Sequence, residues 1–233
     1  MLKSIDKSLV KVISFDVTDT IIRLKSTPGL IYSIVGRDFG LSLNANKIDS
    51  TFREHMKILQ NDLPCYGHGK CSPKNWWGDL IHKCCDLQKN ENSMAFVDRL
   101  FDELSTSKHY KLINNQTPKI LQYLKSNGYK LAVVSNSDSR LRNILYQLLD
   151  ENYFDEYLIS SEIGISKPNK LVFLTLCQRL SCSPQDILHI GDNLTKDYQS
   201  IINVGGQGLL LNDSGDQISI NSLDNLYFIN KKE

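Results

Sequence analysis

Four polar side chains stand at or just beyond the ends of apolar runs, and together they form a phosphate-handling set. Asp16 follows Val10, Val12, Ile13 and Phe15. Ser135 closes the run 130–135, Asp192 follows the run 187–190, and Lys167 lies a short way beyond 157–160. A carboxylate at the end of a buried strand is costly unless it is paired or bound to something. Two such carboxylates can hold a hard cation such as Mg²⁺ through oxygen. A hydroxyl and an ammonium bind phosphate oxygens. A carboxylate kept ionised by the cation and the lysine can attack phosphorus.

These residues meet only if the chain gathers them. The runs 10–15, 130–135, 157–160, 187–190 and 208–211 read as strands, short and apolar with polar ends. Helical spacing covers about 117–127, 139–149, 169–181 and 195–203. Gly128, Ser181 and Gly205 fall near helix ends, and Pro118 near a helix start. From residue 113 onward helix and strand alternate. The expected fold class is therefore α/β, a doubly wound parallel sheet with helices on both faces. Ligands of such sheets bind beyond the carboxyl ends of the strands, where Asp16, Ser135, Lys167 and Asp192 all fall.

The stretch 25–112 is different. Its helical patterns run over about 28–39, 47–60, 75–87 and 94–106, with a loop from Pro64 to Pro73 and no convincing strand. A simple crossover between parallel strands needs far less chain. The expected organisation is a core made of 1–24 and 113–233, with an inserted helical domain of 25–112. The last residues, from Asn230, read as a frayed tail.

Composition narrows the classes of function. The chain has 233 residues, 41% hydrophobic and 23% charged, with a formal net charge of +1. No long basic run supports a nucleic-acid or membrane-surface partner. No apolar stretch approaches the roughly 20 residues that span a bilayer. The first residues, MLKSIDKSLVKV, lack the apolar segment of a signal peptide. The cysteines, at 65, 71, 84, 85, 177 and 182, match no paired zinc pattern and are expected as reduced thiols of a cytoplasmic protein. A glycan on the Asn193 sequon would sit against Asp192, which favours the same compartment.

In order and type, these pieces resemble the four motifs of the haloacid dehalogenase-like hydrolase superfamily. Asp16-Val17-Thr18-Asp19-Thr20 resembles the first motif, usually DxDxT, and Ser135 the second. Lys167 before Pro168 resembles the third. The run from Gly191-Asp192 to Asp197 resembles the fourth, usually GDxxxxD. Pro64, Tyr66-Gly67, Trp76-Trp77 and Asp197-Tyr198 are further similar to one group within the superfamily.

The resemblance implies a Rossmann-like core under a helical cap. It implies that Asp16 is the nucleophile, forming an aspartyl-phosphate that water then hydrolyses. Mg²⁺ would be held by Asp16, the Thr18 backbone carbonyl and Asp192. Ser135, Asn136 and Lys167 would hold the phosphoryl group, with Lys167 also offsetting the carboxylate charge. Asp197 would orient the outer shell of the metal. The implied substrate is a small phosphorylated metabolite; the oligomeric state stays open.

Thr18 departs from the pattern. Most phosphatases of the superfamily carry a second aspartate there, which protonates the leaving oxygen and then activates water. A threonine hydroxyl is far too weak an acid, and general acid–base catalysis contributes about 10²–10⁴-fold. Three readings stay open: a phosphatase whose leaving group is good or whose proton comes from elsewhere, a persistent aspartyl-phosphate, or a catalytically weak or inactive binding or regulatory protein. Dehalogenases of the superfamily typically carry tyrosine at this place, which argues against that chemistry. Asp19 is expected to satisfy backbone N–H groups of its own loop. Trp76-Trp77 is expected in the core of the insertion. His68, with Tyr66 and Lys70 in the loop expected to overhang the site, is a candidate proton donor.

Overall fold

The computed structural model describes residues 5–212 and 214–229. Along the chain, β1 (Val12–Phe15) precedes a short strand β2 (Ile22–Leu24). Helices α1 (Pro28–Arg37), α2 (Ala45–Asp62), the single turn α3 (Pro64–Gly67), α4 (Pro73–Cys85) and α5 (Glu91–Glu103) follow, and then β3 (Tyr110–Leu112). Thereafter come α6 (Thr117–Ser126), β4 (Lys130–Ser135), α7 (Arg140–Leu149), β5 (Glu156–Ile159), α8 (Ser160–Ile163) and α9 (Leu171–Leu180). The rest is β6 (Ile187–Gly191), a wide helical turn Leu194–Gln199 leading into α10 (Ser200–Ile202), β7 (Gln207–Leu211) and β8 (Ser219–Ile220).

The main sheet has six strands in the order β5-β4-β1-β6-β7-β8, every pair parallel. Alternate residues of a strand face opposite sides. Ile13, Phe15, Leu131 and Val133 accordingly pack on one face with Ile120 and Leu124 of α6 and Leu145 of α7. Val12, Ala132 and Val134 pack on the other with Val172, Phe173 and Leu176 of α9. Both faces are covered, which is why these strands are continuous apolar runs rather than alternating ones. The chain turns to opposite sides of β1, toward β4 and toward β6, so a crevice opens where β1 ends.

The helices between β2 and β3 have their own core, with Tyr32, Trp76, Leu80, Phe96 and Leu100 at its centre. Their starts are written locally: Thr27 caps α1 ahead of Pro28, Ser72 caps α4 ahead of Pro73, and Asn90 and Ser93 form a reciprocal cap on α5. The stretch read as wholly helical does contain a strand, β3, which pairs antiparallel with β2 through Ile22–Leu112 and Leu24–Tyr110. Three residues are too few for period-two alternation to show. The expected tail from Asn230 lies outside the described residues. All six cysteines are free thiols. Among the described residues no helix is long and apolar enough to cross a membrane.

Where the chain returns from the helices, Glu103 is buried and gathers two cations and an imidazole. It accepts from Arg99 Nε at 2.7 Å and His109 Nε2 at 2.8 Å, and pairs with Lys108 Nζ at 2.7 Å. Burial pushes its carboxyl up, but the bonds from Lys108, His109 and Arg99 outweigh this and hold it at about 2, below the ordinary 4.5. A depressed carboxyl contributes stability that is complete above its unfolded value and lost as pH falls through the folded one. Glu103→Gln should therefore destabilise the protein by about 1–3 kcal/mol at neutral pH. In urea unfolding, wild type and variant should converge between pH 4.5 and pH 2.

Candidate active site

Asp16 sits one residue beyond β1, its N–H donating to the Ile190 carbonyl of β6 at 2.8 Å. The loop then folds tightly. The Val17 carbonyl accepts from the N–H groups of Thr20, Ile21 and Ile22, and Asp19 takes a left-handed φ of 59°. This turn leaves Thr18 and Asp19 exposed on the wall of a cavity of about 420 Å³. Asp16, Ser135, Asn136, Lys167, Asp192 and Asp197 line the same cavity, so every candidate residue but His68 is brought to one place.

Lys167 is the hub. Its Nζ donates to Asp16 Oδ1 at 2.8 Å and to Asp197 Oδ1 at 2.5 Å, with the lysine side chain only 2% exposed. Burial disfavours its charge, but the two carboxylates outweigh that and raise its pKa. Asn136 fixes the lysine backbone from both sides: its Nδ2 donates to the Lys167 carbonyl and its Oδ1 accepts from the Lys167 N–H, each at 2.8 Å. The Asn136 side chain is thus committed to Lys167, which leaves its backbone N–H as the group it can offer a phosphate. The pairing was not readable from sequence, because the two residues lie 31 positions apart.

Asp197 is tied down more fully than its place in the sequence suggests. Its Oδ2 accepts from the Asn193 N–H at 2.9 Å and its Oδ1 from His189 Nε2 at 3.3 Å, besides Lys167. Burial raises its carboxyl, but His189 and Lys167 prevail and hold it well below the carboxylate range. His189 was missed by the sequence reading. Burial pushes its imidazole down to about 4, so it is neutral, with Nε2–H toward Asp197 and Nδ1 accepting from Ser14 Oγ at 2.9 Å. A histidine inside a buried strand was the available signal. Gly191 completes the fit, because a Cβ there would collide with the Asp197 carboxylate.

Asp16 is the frustrated member. Burial, opposed by Lys167 but reinforced by Asp197 and Asp192, pushes its carboxyl up from 3.8 to about 6. Asp192 is open to solvent; what burial it has, together with Asp197 and Asp19, also pushes it up. Carboxylate oxygens of Asp16, Asp192 and Asp197 come within 4.8 Å of one another. Three carboxylates against the single Lys167 ammonium leave two negative charges uncompensated beside a neutral histidine. An all-oxygen donor set with that excess fits a hard divalent cation such as Mg²⁺. The expectation for Asp19 is not met: its N–H donates to Ile22, while among the described residues its carboxylate accepts no hydrogen bond.

The helical insertion closes over this floor. Tyr66, at a left-handed φ of 57°, donates its hydroxyl to the Asn136 carbonyl at 3.0 Å. Trp76 is core, as expected, with Nε1 on the Leu63 carbonyl at 2.9 Å. Trp77 instead lines the cavity and donates to Asp138 Oδ2 at 2.7 Å. Asp138 also holds Arg140 through both Nε and Nη2, at 2.8 and 2.7 Å. His68 does not serve as the overhanging acid. Its Nδ1–H meets the Ser161 carbonyl at 2.7 Å, and its ring rests on Gly164, away from the cavity wall.

The comparisons agree with this geometry. The sequence profile of haloacid dehalogenase-like hydrolases matches residues 10–205. Haloacid dehalogenase-like hydrolase domain-containing protein 3 of Mus musculus is 28% identical over 206 residues, 87% of this chain and 82% of that protein. The rhythmically expressed gene 2 protein of Drosophila melanogaster is 26% identical over 219 residues, 88% of this chain and 84% of that one. In three dimensions the chain is similar to the putative hydrolase YfnB of Bacillus subtilis bound to magnesium. The TM-score is 0.71 at 20% identity, covering 94% of this chain and 98% of that one. The matched profile contains all four strand-end motifs and most of the chain, which therefore belongs to the haloacid dehalogenase-like hydrolases.

Proposed function

We propose that the protein is a Mg²⁺-dependent phosphatase of a small phosphorylated molecule, acting through an aspartyl-phosphate on Asp16. The observation that carries this reading is the Lys167 ammonium bridging Asp16 and Asp197 on the floor of an open cavity, with Ser135 on the same wall. Asp16, Asp192 and the Thr18 carbonyl would hold the ion, with Asp197 beside them. Bound there, Mg²⁺ supplies neutralisation of the phosphoryl oxygens and of the carboxylate excess. Lys167 and the Ser135 hydroxyl bind the phosphoryl group, joined by the Asn136 backbone rather than its side chain. Asp197 holds Lys167 in place, and neutral His189 holds Asp197. The helices of 25–112 act as a cap whose Tyr66 and Trp77 keep bulk water from the phosphoryl group.

The alternative, a catalytically weak or inactive binding protein, draws on Thr18 alone. Against it stands a cavity that the helical insertion leaves unfilled over Lys167 and its two carboxylate partners. Phosphate release from acetyl phosphate, followed with Mg²⁺ and after EDTA, tests the proposal. This leaving group needs no proton donor, so the missing aspartate cannot hold back formation of the aspartyl-phosphate. Turnover that stops on chelation and returns with Mg²⁺ is the expected result. Its absence under every condition, in folded protein that also carries no phosphate on Asp16 after incubation with acetyl phosphate, would favour the binding reading.

A further inference from the structure

Beyond the phosphoryl floor, the cavity has a second character. Phe52 and Met56 of α2, Tyr66, Trp77 of α4, Tyr110 and Ile144 also line it. Tyr66 and Trp77 stack with ring centroids 5.9 Å apart and planes 27° apart, giving the cavity an aromatic lining. Arg140 also reaches this wall, but its charge is already answered. Asp138 chelates it, and its guanidinium lies 4.8 Å from the Trp77 ring centroid and 4.4 Å from that of Phe101. The other cations lining the cavity besides Lys167, namely Arg23 and Lys196, are exposed. The inner wall therefore suits an uncharged, flat, apolar group.

The same wall offers little to protonate a leaving oxygen. The Tyr66 hydroxyl is pushed up by burial and is already donating to the Asn136 carbonyl. Burial raises the Asp138 carboxyl, but bonds from Arg140 outweigh it and keep it ionised. His68 is turned onto Ser161. Thr18 has no transferable proton of the right acidity. A leaving group that departs unprotonated must be a weak base.

We propose that the natural substrate is an aryl phosphate monoester, with its ring between the Phe52 and Met56 side and the Tyr66–Trp77 stack. This rests on the phosphatase reading of Asp16. In the first step an Asp16 carboxylate oxygen bonds to phosphorus, and the phosphorus–aryl oxygen bond breaks. The bonding pair leaves on the aryl oxygen as a phenolate, which takes its proton from solvent after release. Water then cleaves the aspartyl-phosphate, one oxygen passing to inorganic phosphate and the carboxylate returning to Asp16. No oxidant or second substrate is required.

The test is a leaving-group series with Mg²⁺: aryl phosphates of graded phenol acidity, an alkyl phosphate, and acetyl phosphate, with Asp16→Asn as the blank. Aryl esters should exceed the alkyl ester by about 10²-fold or more in kcat/KM, with rate rising steeply as the phenol becomes more acidic. Phe52→Ala and Met56→Ala should each raise KM for the aryl ester about tenfold more than KM for acetyl phosphate. An alkyl ester matching the aryl esters, or a flat series that becomes steep only in Asp19→Asn, would overturn the proposal, the latter by naming Asp19 as the acid. Acetyl phosphate outpacing every aryl ester, with both alanine variants silent, would overturn it in favour of an acyl phosphate. Absence of turnover on all of them would instead defeat the phosphatase reading itself.

Discussion

Asp16→Asn should lower phosphate release from acetyl and aryl phosphates by about 10⁴-fold or more, the scale on which removal of a nucleophile acts. The amide has the shape of the carboxylate and can still accept from Lys167 Nζ, which stands 2.8 Å from Asp16 Oδ1. It cannot attack phosphorus. Loss of activity should come without loss of fold. In the metal-free protein, burial drives the Asp16 carboxyl up to about 6 from 3.8, so its ionised form costs folding free energy. For an acid raised in the folded state, that cost is complete above the folded value and vanishes below the unfolded one. Asp16→Asn removes it. Without metal, the variant should therefore be at least as stable as wild type at pH 7, and the difference should close as pH falls from about 6 toward 3.8. With Mg²⁺ the order should reverse, because only wild type gains binding free energy from the ion. Thermal melts at two pH values, with and without Mg²⁺, check all three statements.

Thr18→Asp should raise turnover of alkyl phosphates by about 10²-fold, the lower end of what a positioned general acid and base contributes. Thr18 is exposed on the cavity wall two residues beyond Asp16. A carboxyl there would enter a neighbourhood already rich in Asp16, Asp19 and Asp192. Like charges raise a carboxyl pKa, which suits a group that must deliver a proton near neutrality. In kcat/KM, which reports the steps through formation of the aspartyl-phosphate, acetyl phosphate should gain little, because its leaving group is acidic enough to depart alone. The ratio of alkyl to acetyl kcat/KM is thus the readout, and it is insensitive to the fraction of active protein. An unchanged ratio, with Mg²⁺ dependence intact, would mean that position 18 does not face the leaving oxygen.

The core was legible in the sequence because burial on both faces leaves strands no choice but continuous apolar runs. A charged or polar residue ending such a run then stands out, as Asp16, Ser135 and Asp192 do. The supports of those residues were not legible. Asn136 meets Lys167 across 31 positions and Trp77 meets Asp138 across 61, and nothing local in either stretch encodes the other. Tyr66 could be placed near the site as part of an overhanging loop. The left-handed backbone at Cys65 and Tyr66 that turns its hydroxyl onto Asn136 could not, since neither residue type advertises it. His189 was hidden for the opposite reason: within ILHI it reads as one more strand residue until Asp197 and Ser14 are seen on either side.

The β2–β3 ribbon has a consequence for how this molecule can change. The chain leaves the core at Leu24 and comes back at Tyr110 as its direct partner, so both ends of the helical excursion are fastened at one seam. Closing a loop depends only logarithmically on its length. Whatever lies beyond the seam can be lengthened, shortened or exchanged with little effect on the register of Asp16 against Lys167 and Asp197. The residues that would select the leaving group, Phe52, Met56, Tyr66 and Trp77, all lie in that exchangeable part. The residues that would handle phosphate do not, so preference for one molecule over another can drift while the chemistry stays inherited.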